Sequence, residues 1–592
     1  ETATGAEKVD VIDVGAEPYG IVADEAGTRV YVAVSQANEV VEIDARTGDV
    51  LRTWSVPHEP RYLALHPKGE TLFVATGRAA AHVYQLDVSD GAVPNSRGEE
   101  PTSIDLPGVN RLDEQFQWVG LTARVTGDIA VSADGEELVV PVTYVDNINP
   151  VGDVEVDPEG QPVAPATDGY GGAMEGVNRF NPGLVVVPVD GGEADADGAE
   201  AIFVSGMVSS DARLDADLAS DSAFPFEPGF GMIRSYPSSV TISPDGTTYV
   251  VTFQGSGAIA LVGRLPFSNK DGIRGGGADI AMPFPGDTGG GGLPFTVAEE
   301  AGFSSRPKAF VDMPAHNPTG VVFLDSTNAW VHAADDRVVA DIAFDDAFDD
   351  LRRNGTNGFD DISFRQIRDL SNELAPQVLP ADVFEGRKLF FSATNPGMVA
   401  SGAGVSCASC HFEGRNDGLT WTFASGPRQT PSLAGEVSRT APVTWTSDVP
   451  SVAHEARITT QARMGGMGLA DTELDKIAAY VDWTRLADTP MRGSDDPAIA
   501  RGKALFERQD VGCASCHNGE AFTDNQSWSM FGLTNVNTPT LAGIAGSGPY
   551  LHDGRASTLR DVLLFARTGE MGDTSMLSDA ELDDLEAYLE SL

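Results

Sequence analysis

The chain has 592 residues, of which 88 are acidic and 39 basic, for a formal charge of −49. Such a surface repels phosphate backbones, which excludes nucleic acid as a partner. It suits salty surroundings, where screening relieves self-repulsion, or a role in recruiting cationic partners or calcium. The length calls for several domains, and no apolar run of about 20 residues is available to span a membrane.

From the N-terminus the sequence repeats itself. EPYGIVADEAGTRVYVAVSQANEVVEIDARTGDV (17–50) and EPRYLALHPKGETLFVATGRAAAHVYQLDVSDG (59–91) each show a Pro, an alternating strand, a polar turn, a Val-rich strand and a third strand. They start 42 residues apart, a blade-like period. The unit returns at 127–145, 237–263 and 317–342. Alternation such as Tyr249-Val250-Val251-Thr252, with a turn at Pro244-Asp245-Gly246, predicts four-stranded antiparallel blades. Wider spacings place insertions at 146–182, 190–235 and 266–308; the last carries Gly/Pro punctuation and no catalytic signature. The units resemble the YVTN family of bacterial β-propellers, through strand tetrapeptides such as Val30-Tyr31-Val32-Ala33. That resemblance implies an all-β propeller over residues 1–370, expected to have about seven blades, and says nothing of activity. His58, His66, His82, His316 and His332 fall here without metal-like spacing and are expected to be structural or surface residues.

Residues 405–418 read VSCASCHFEGRNDG and residues 511–524 read VGCASCHNGEAFTD, and these two stretches hold all four cysteines. In Cys-x-x-Cys-His two thiols one turn apart can form thioethers with the vinyl groups of one haem, and the His can ligate its iron. The first set is Cys407, Cys410 and His411; the second is Cys513, Cys516 and His517. An all-cysteine zinc site or two redox dithiols would not explain a His after each pair. Two covalently bound haem c groups are therefore expected. Thioether attachment takes place outside the cytoplasm, so a periplasmic or otherwise exported protein is expected, its signal peptide already removed.

The landmarks around the motifs recur in order. Gly386-Arg387-Lys388-Leu389-Phe390 answers Gly502-Lys503-Ala504-Leu505-Phe506, and Thr430-Pro431-Ser432-Leu433-Ala434-Gly435 answers Thr538-Pro539-Thr540-Leu541-Ala542-Gly543. Pro442-Val443-Thr444-Trp445 answers Pro549-Tyr550-Leu551-His552, and Arg463-Met464-Gly465 answers Glu570-Met571-Gly572. Each half closes on an amphipathic helix, over 471–483 and 578–592. Two tandem, mainly-α cytochrome c domains are expected, at 376–490 and 491–592.

These segments resemble the bacterial di-haem cytochrome c peroxidase/MauG family. The resemblance implies one electron-storing haem, one haem where peroxide is cleaved, a Trp between them, and calcium as a further ion. Carried over by position, His411 and His517 are the proximal ligands and Trp445 the inter-haem Trp. Met571 is the sixth ligand of the second haem, with Met576 as its alternative. His454 and Glu455 are candidates for proton transfer at the first haem. The family's distal His has no counterpart in Asp417–Phe423, and Met464 occupies the position of Met571, so the first haem is either open or Met-ligated. Three activities follow: hydrogen peroxide reduction fed by a small redox protein or small-molecule donor, MauG-like oxidation of a propeller-bound substrate, and electron transfer without catalysis.

Overall fold

The computed structural model describes residues 11–592 apart from 78–80, 97, 113–117, 153, 158–160, 164–168, 171–178, 205–234, 265–307, 314, 355–361, 370–377 and 401–402. The expected insertions at 190–235 and 266–308 fall largely outside the described residues.

Five antiparallel sheets follow one another from Pro18 to Asp369. Sheets I, II, IV and V are four-stranded meanders, starting at Pro18–Ala23, Pro60–Leu65, Pro237–Ile242 and Pro318–Phe323. Sheet III, between Val109 and Phe203, has seven strands and its longest pairing joins Glu137–Val145 to Phe180–Asp190. The first strands of I and II lie side by side, as do those of IV and V, and Ala130–Val131 of sheet III touches both II and IV. The sheets are thus arrayed as propeller blades, with cores between neighbours: I with II, II with III, III with IV and IV with V. Each of the five sequence units coincides with one sheet.

The turn after the first strand of four of the five units explains the recurring glycine. Gly27, Gly69, Gly135 and Gly246 all sit at positive φ, between 64° and 76°. Each donates its N–H to the carbonyl three residues back, a left-handed turn position that glycine adopts without a Cβ penalty. The propeller histidines are structural: His58 stacks on His82 at 4.5 Å, His66 Nε2 lies 3.1 Å from the Gly135 carbonyl oxygen, and His316 pairs with Asp336.

Two helical halves follow. In the first, α1 (Ala381–Phe391) crosses α3 (Asp471–Trp483), with α2 (Val452–Ile458) beside α3; in the second, α4 (Pro497–Phe506) crosses α6 (Asp579–Glu590), with α5 (Leu559–Phe565) against α6. The Gly-x-x-x-Phe landmarks make these crossings. A Cβ on Gly386 would stand 1.9 Å from the Lys476 carbonyl oxygen, and one on Gly502 would stand 1.9 Å from that of Asp584. Four residues on, Phe390 meets Tyr480 at 5.0 Å and Phe506 meets Tyr588 at 5.3 Å between ring centroids. A capping box between Ser578 and Glu581 starts α6.

Candidate functional site

The first motif begins on a single helical turn, Cys407–Cys410, closed at its N-terminus by reciprocal bonds between Ser406 and Ser409. His411 Nδ1 lies 3.1 Å from the Arg415 carbonyl oxygen. A carbonyl only accepts, so Nδ1 carries the proton and Nε2 keeps its lone pair. The second motif repeats this, with His517 Nδ1 3.2 Å from the Phe522 carbonyl oxygen. Burial pushes both imidazoles below their ordinary range, partly offset by those bonds and by the backbones of Pro431 and Pro539. The repeated Thr-Pro landmark thus lies against each His.

Burial pushes the Cys407 thiol up to about 12, and Cys513 up to about 11. None of the four cysteines forms a disulfide. Among the described residues no three His, Cys, Asp or Glu side chains converge as a metal cluster. The two cysteine pairs therefore do not converge on one shared site. A pair of half-buried thiols beside an imidazole with a free Nε2 is the donor set a c-type haem requires, and both motifs offer it.

The propeller grips the first motif. Arg61, 1% exposed on the first strand of sheet II, donates to Glu413 at 2.6 Å and lies over the Tyr19 and Phe412 rings. Burial raises the Glu413 carboxyl, but Arg61 outweighs it and holds that carboxyl below its usual range. Arg124 Nη1 donates to the Ser409 carbonyl at 2.7 Å, between the two cysteines. Glu17 binds the Arg415 guanidinium through both oxygens, fixing the residue whose carbonyl orients His411.

Around the first motif the structure gathers Met464, Glu455, Arg463 of the repeated landmark, and Tyr170, which gave no sequence signal. Met464 is 1% exposed, in a core with Val145, Phe180 and Trp421, against which Cys410 and Tyr170 pack. Tyr170 comes from the insertion at 146–182; its backbone N–H donates to the Arg463 carbonyl at 2.7 Å, and its ring meets Trp421 edge-on at 5.5 Å. Burial chiefly pushes its phenol up. Glu455 Oε1 accepts from Arg463 Nη1 at 2.6 Å and from Thr459 Oγ1 at 3.0 Å, while Oε2 is buried without a hydrogen-bond partner. The Glu455 charge reaches the His411 ring. His454 gives its backbone N–H to the Ser451 cap of α2.

At the second motif, Met571 is half-buried in a core that also packs Cys513 and Phe522. A Cβ on its neighbour Gly572 would stand 2.5 Å from the Val511 carbonyl oxygen and 3.6 Å from Cys513 Sγ, and Asp573 N–H donates to the Val511 carbonyl. Met576 is 84% exposed, which leaves Met571 as the thioether beside this motif.

Between the halves, Trp445 meets His552 at 4.5 Å between ring centroids. Trp445 Nε1–H donates to the Gln429 carbonyl at 2.7 Å, and His552 Nε2 lies 2.9 Å from the Asn537 carbonyl oxygen. In exchange, Asn537 N–H donates to the Trp445 carbonyl and Gln429 N–H to that of His552. Burial chiefly pushes the His552 imidazole down to about 4, so it is neutral at pH 7. His552 was missed as a site residue, although the repeat pairs it with Trp445.

The cytochrome c family model matches residues 499–592. The chain is 28% identical over 302 residues to methylamine utilization protein MauG of Methylorubrum extorquens, spanning 39% of this chain and 83% of that protein. It is 26% identical over 253 residues to hydrazine synthase subunit gamma of Kuenenia stuttgartiensis, spanning 32% and 72% respectively. Among solved structures, the β-propeller domain of Myceliophteria thermophila Cps50 covers 62% of this chain and 77% of its own, at 11% identity and a TM-score of 0.32. The periplasmic gluconolactonase of Pseudomonas aeruginosa covers 62% and 90%, at 13% identity and a TM-score of 0.28. The chain therefore carries a cytochrome c domain with covalently bound haem c, and it has a haem-dependent redox function. Among the described residues no helix is long and apolar enough to cross a membrane.

Proposed function

We propose that the protein is an exported, periplasmic di-haem oxidoreductase. In this reading it reduces hydrogen peroxide to water at the first motif, with electrons entering at the second from a small redox protein or small-molecule donor. Cys407, Cys410 and His411 hold one haem c; Cys513, Cys516 and His517 hold the other, with Met571 at its distal side. When bound, such a group supplies a one-electron centre and, where a position is open, a place for peroxide. The remaining work falls to this chain's own groups.

The observation that carries the reading is Glu455. Peroxide reduction consumes protons, and a carboxylate with one oxygen fixed by Arg463 and Thr459 and the other buried and uncommitted is built to hold and release one. Trp445 and His552 supply a continuous contact between the halves, each ring fixed by its own hydrogen bond. Glu455→Gln keeps the shape and removes the proton. It should lower peroxide turnover about 100-fold, with haem content and the electron-donor reaction unchanged. Unaltered turnover would remove Glu455 from the reaction.

A second reading rests on Met464, which is buried beside Cys410 as Met571 is packed beside Cys513. If its thioether closes the first centre, the protein transfers electrons without cleaving peroxide. Electron paramagnetic resonance of the oxidised protein separates the two: a high-spin signal supports peroxide reduction, and two low-spin signals support electron transfer alone.

A further inference from the structure

At the seam between sheet III and the first motif lies a small cavity, walled in part by Arg124, Thr143, Phe180, Tyr236 and Ser409. Arg124 is 1% exposed and uses only Nη1, on the Ser409 carbonyl; its Nε and Nη2 are buried without a hydrogen-bond partner. The Tyr236 hydroxyl and the Thr143 hydroxyl, on residues 7% and 5% exposed, are buried and unpartnered as well. Four polar groups on three buried side chains that wall one cavity are thus uncommitted, and every one of them can donate.

The nearby acids are engaged elsewhere. Asp417 accepts from the Leu419 N–H and from Trp421 Nε1–H, and Glu413 pairs with Arg61. Among the described residues no carboxylate lines the cavity. A buried guanidinium with no counter-charge is costly, and two further donors without acceptors add to the cost. A ligand made only of acceptors and carrying one negative charge answers all four groups together. Tyr236 also stacks on Phe412 at 5.7 Å, which fixes its ring at the cavity wall.

We propose that this cavity binds a small monovalent anion, a halide or a planar oxyanion of formate size, held by the Arg124 fork and by the Tyr236 and Thr143 hydroxyls. The binding stands independently of the peroxidase reading. Its consequence for redox chemistry rests on that reading, which places a haem at Cys407 and Cys410, on either side of Ser409. A negative charge there stabilises the oxidised form of the first centre and lowers its potential.

The test uses the full-length holoprotein, with sodium chloride or sodium formate replacing sodium gluconate at fixed ionic strength. Melting temperature should rise along a saturating curve with at least one probe, and the probe that acts separates halide from oxyanion. Tyr236→Phe removes one hydroxyl and should raise the half-saturating concentration about tenfold. Arg124→Met should abolish the response; if that variant does not fold, Tyr236→Phe carries the test. A melting temperature blind to the anion at fixed ionic strength overturns the site, as does a Tyr236→Phe curve that superimposes on wild type. The midpoint potential of the first haem should fall at saturation. A saturable rise in melting temperature with no change in potential leaves the site standing and refutes the placement of a haem beside it.

Discussion

Replacing Gly502 by Ala tests whether the second half is organised around one close helix crossing. The added Cβ would stand 1.9 Å from the Asp584 carbonyl oxygen and 2.8 Å from Tyr588 Cβ, where even a tight contact needs 3.0 Å. The obstacle is backbone, so α6 must move by about 1 Å as a body, loosening Leu505, Phe506, Leu582, Leu585 and Leu589, each no more than 8% exposed. Overpacking of this kind costs ~1–3 kcal/mol, and weakened dispersion along the leucine stripe adds to it. Ala is worth up to ~1 kcal/mol over Gly inside a helix, which opposes the loss. A net destabilisation of about 2 kcal/mol follows. Chemical denaturation of the holoprotein, followed by helical circular dichroism, measures it. Gly386→Ala, with the same 1.9 Å approach to Lys476 O, should behave alike, while Gly91→Ala, with nothing within 4 Å, should be neutral. A Gly502→Ala protein as stable as wild type, or more so, would refute the crossing as the organising contact.

Met571→Leu should cost under ~1.5 kcal/mol, yet remove the thioether-to-ferric absorption band and lower the second haem's potential. Met576→Leu, at an 84% exposed position, should change neither. With 88 acidic against 39 basic residues, melting temperature should rise with ionic strength; a flat response from about 0.05 to 2 M would mean the charge is neutralised locally. His552, pushed from 6.5 down to about 4, is held neutral by the fold, so the unfolded chain binds more protons between those values. Wild type should lose about 3 kcal/mol relative to His552→Gln as pH falls from 7 to 4, read by denaturation at each pH, and a constant difference would sink the assignment.

Local chemistry was legible in the sequence and seams were not. The five blades could be read because each carries its own alternation and four carry a glycine turn, and the haem motifs because thioether spacing is contiguous. The Gly502 crossing was visible as a repeated landmark, though its reason, a carbonyl at 1.9 Å, needed the fold. Tyr170 could not be found, because a lone Tyr in a polar insertion gives no sign that its backbone will bond Arg463 or its ring meet Trp421. Arg61 and Arg124 belong to blade strands and looked like propeller residues. Their guanidiniums reach partners more than 280 positions away, at Glu413 and Ser409. Such long-range pairs have no local period to read. The blades looked self-contained in sequence, yet Val145, Val151 and Phe180 of the propeller share one core with Val405, Trp421 and Met464.

The duplication also says where the halves part company. Gln429 and Asn537 hold Trp445 and His552 in the same reciprocal pattern, and Thr444 and Leu551, just before those rings, both adopt positive φ. With the backbone this symmetric, a difference in role must come from side chains and surroundings. The first motif is enclosed: Val405, Ser406, Ala408 and Ser409 are buried, and the propeller covers it with Arg61, Arg124 and Tyr170. The Glu455 charge acts on its His. The second motif is open at its edge, with Ser515, Asn518, Gly519 and Glu520 exposed and no propeller residue gripping Cys513–His517 among the contacts described. An enclosed centre suits bond-breaking chemistry, which needs little water. An edge at the surface suits a donor that must come and go. The asymmetry therefore favours electron entry at the second motif and reduction at the first, the direction that the Trp445–His552 contact connects.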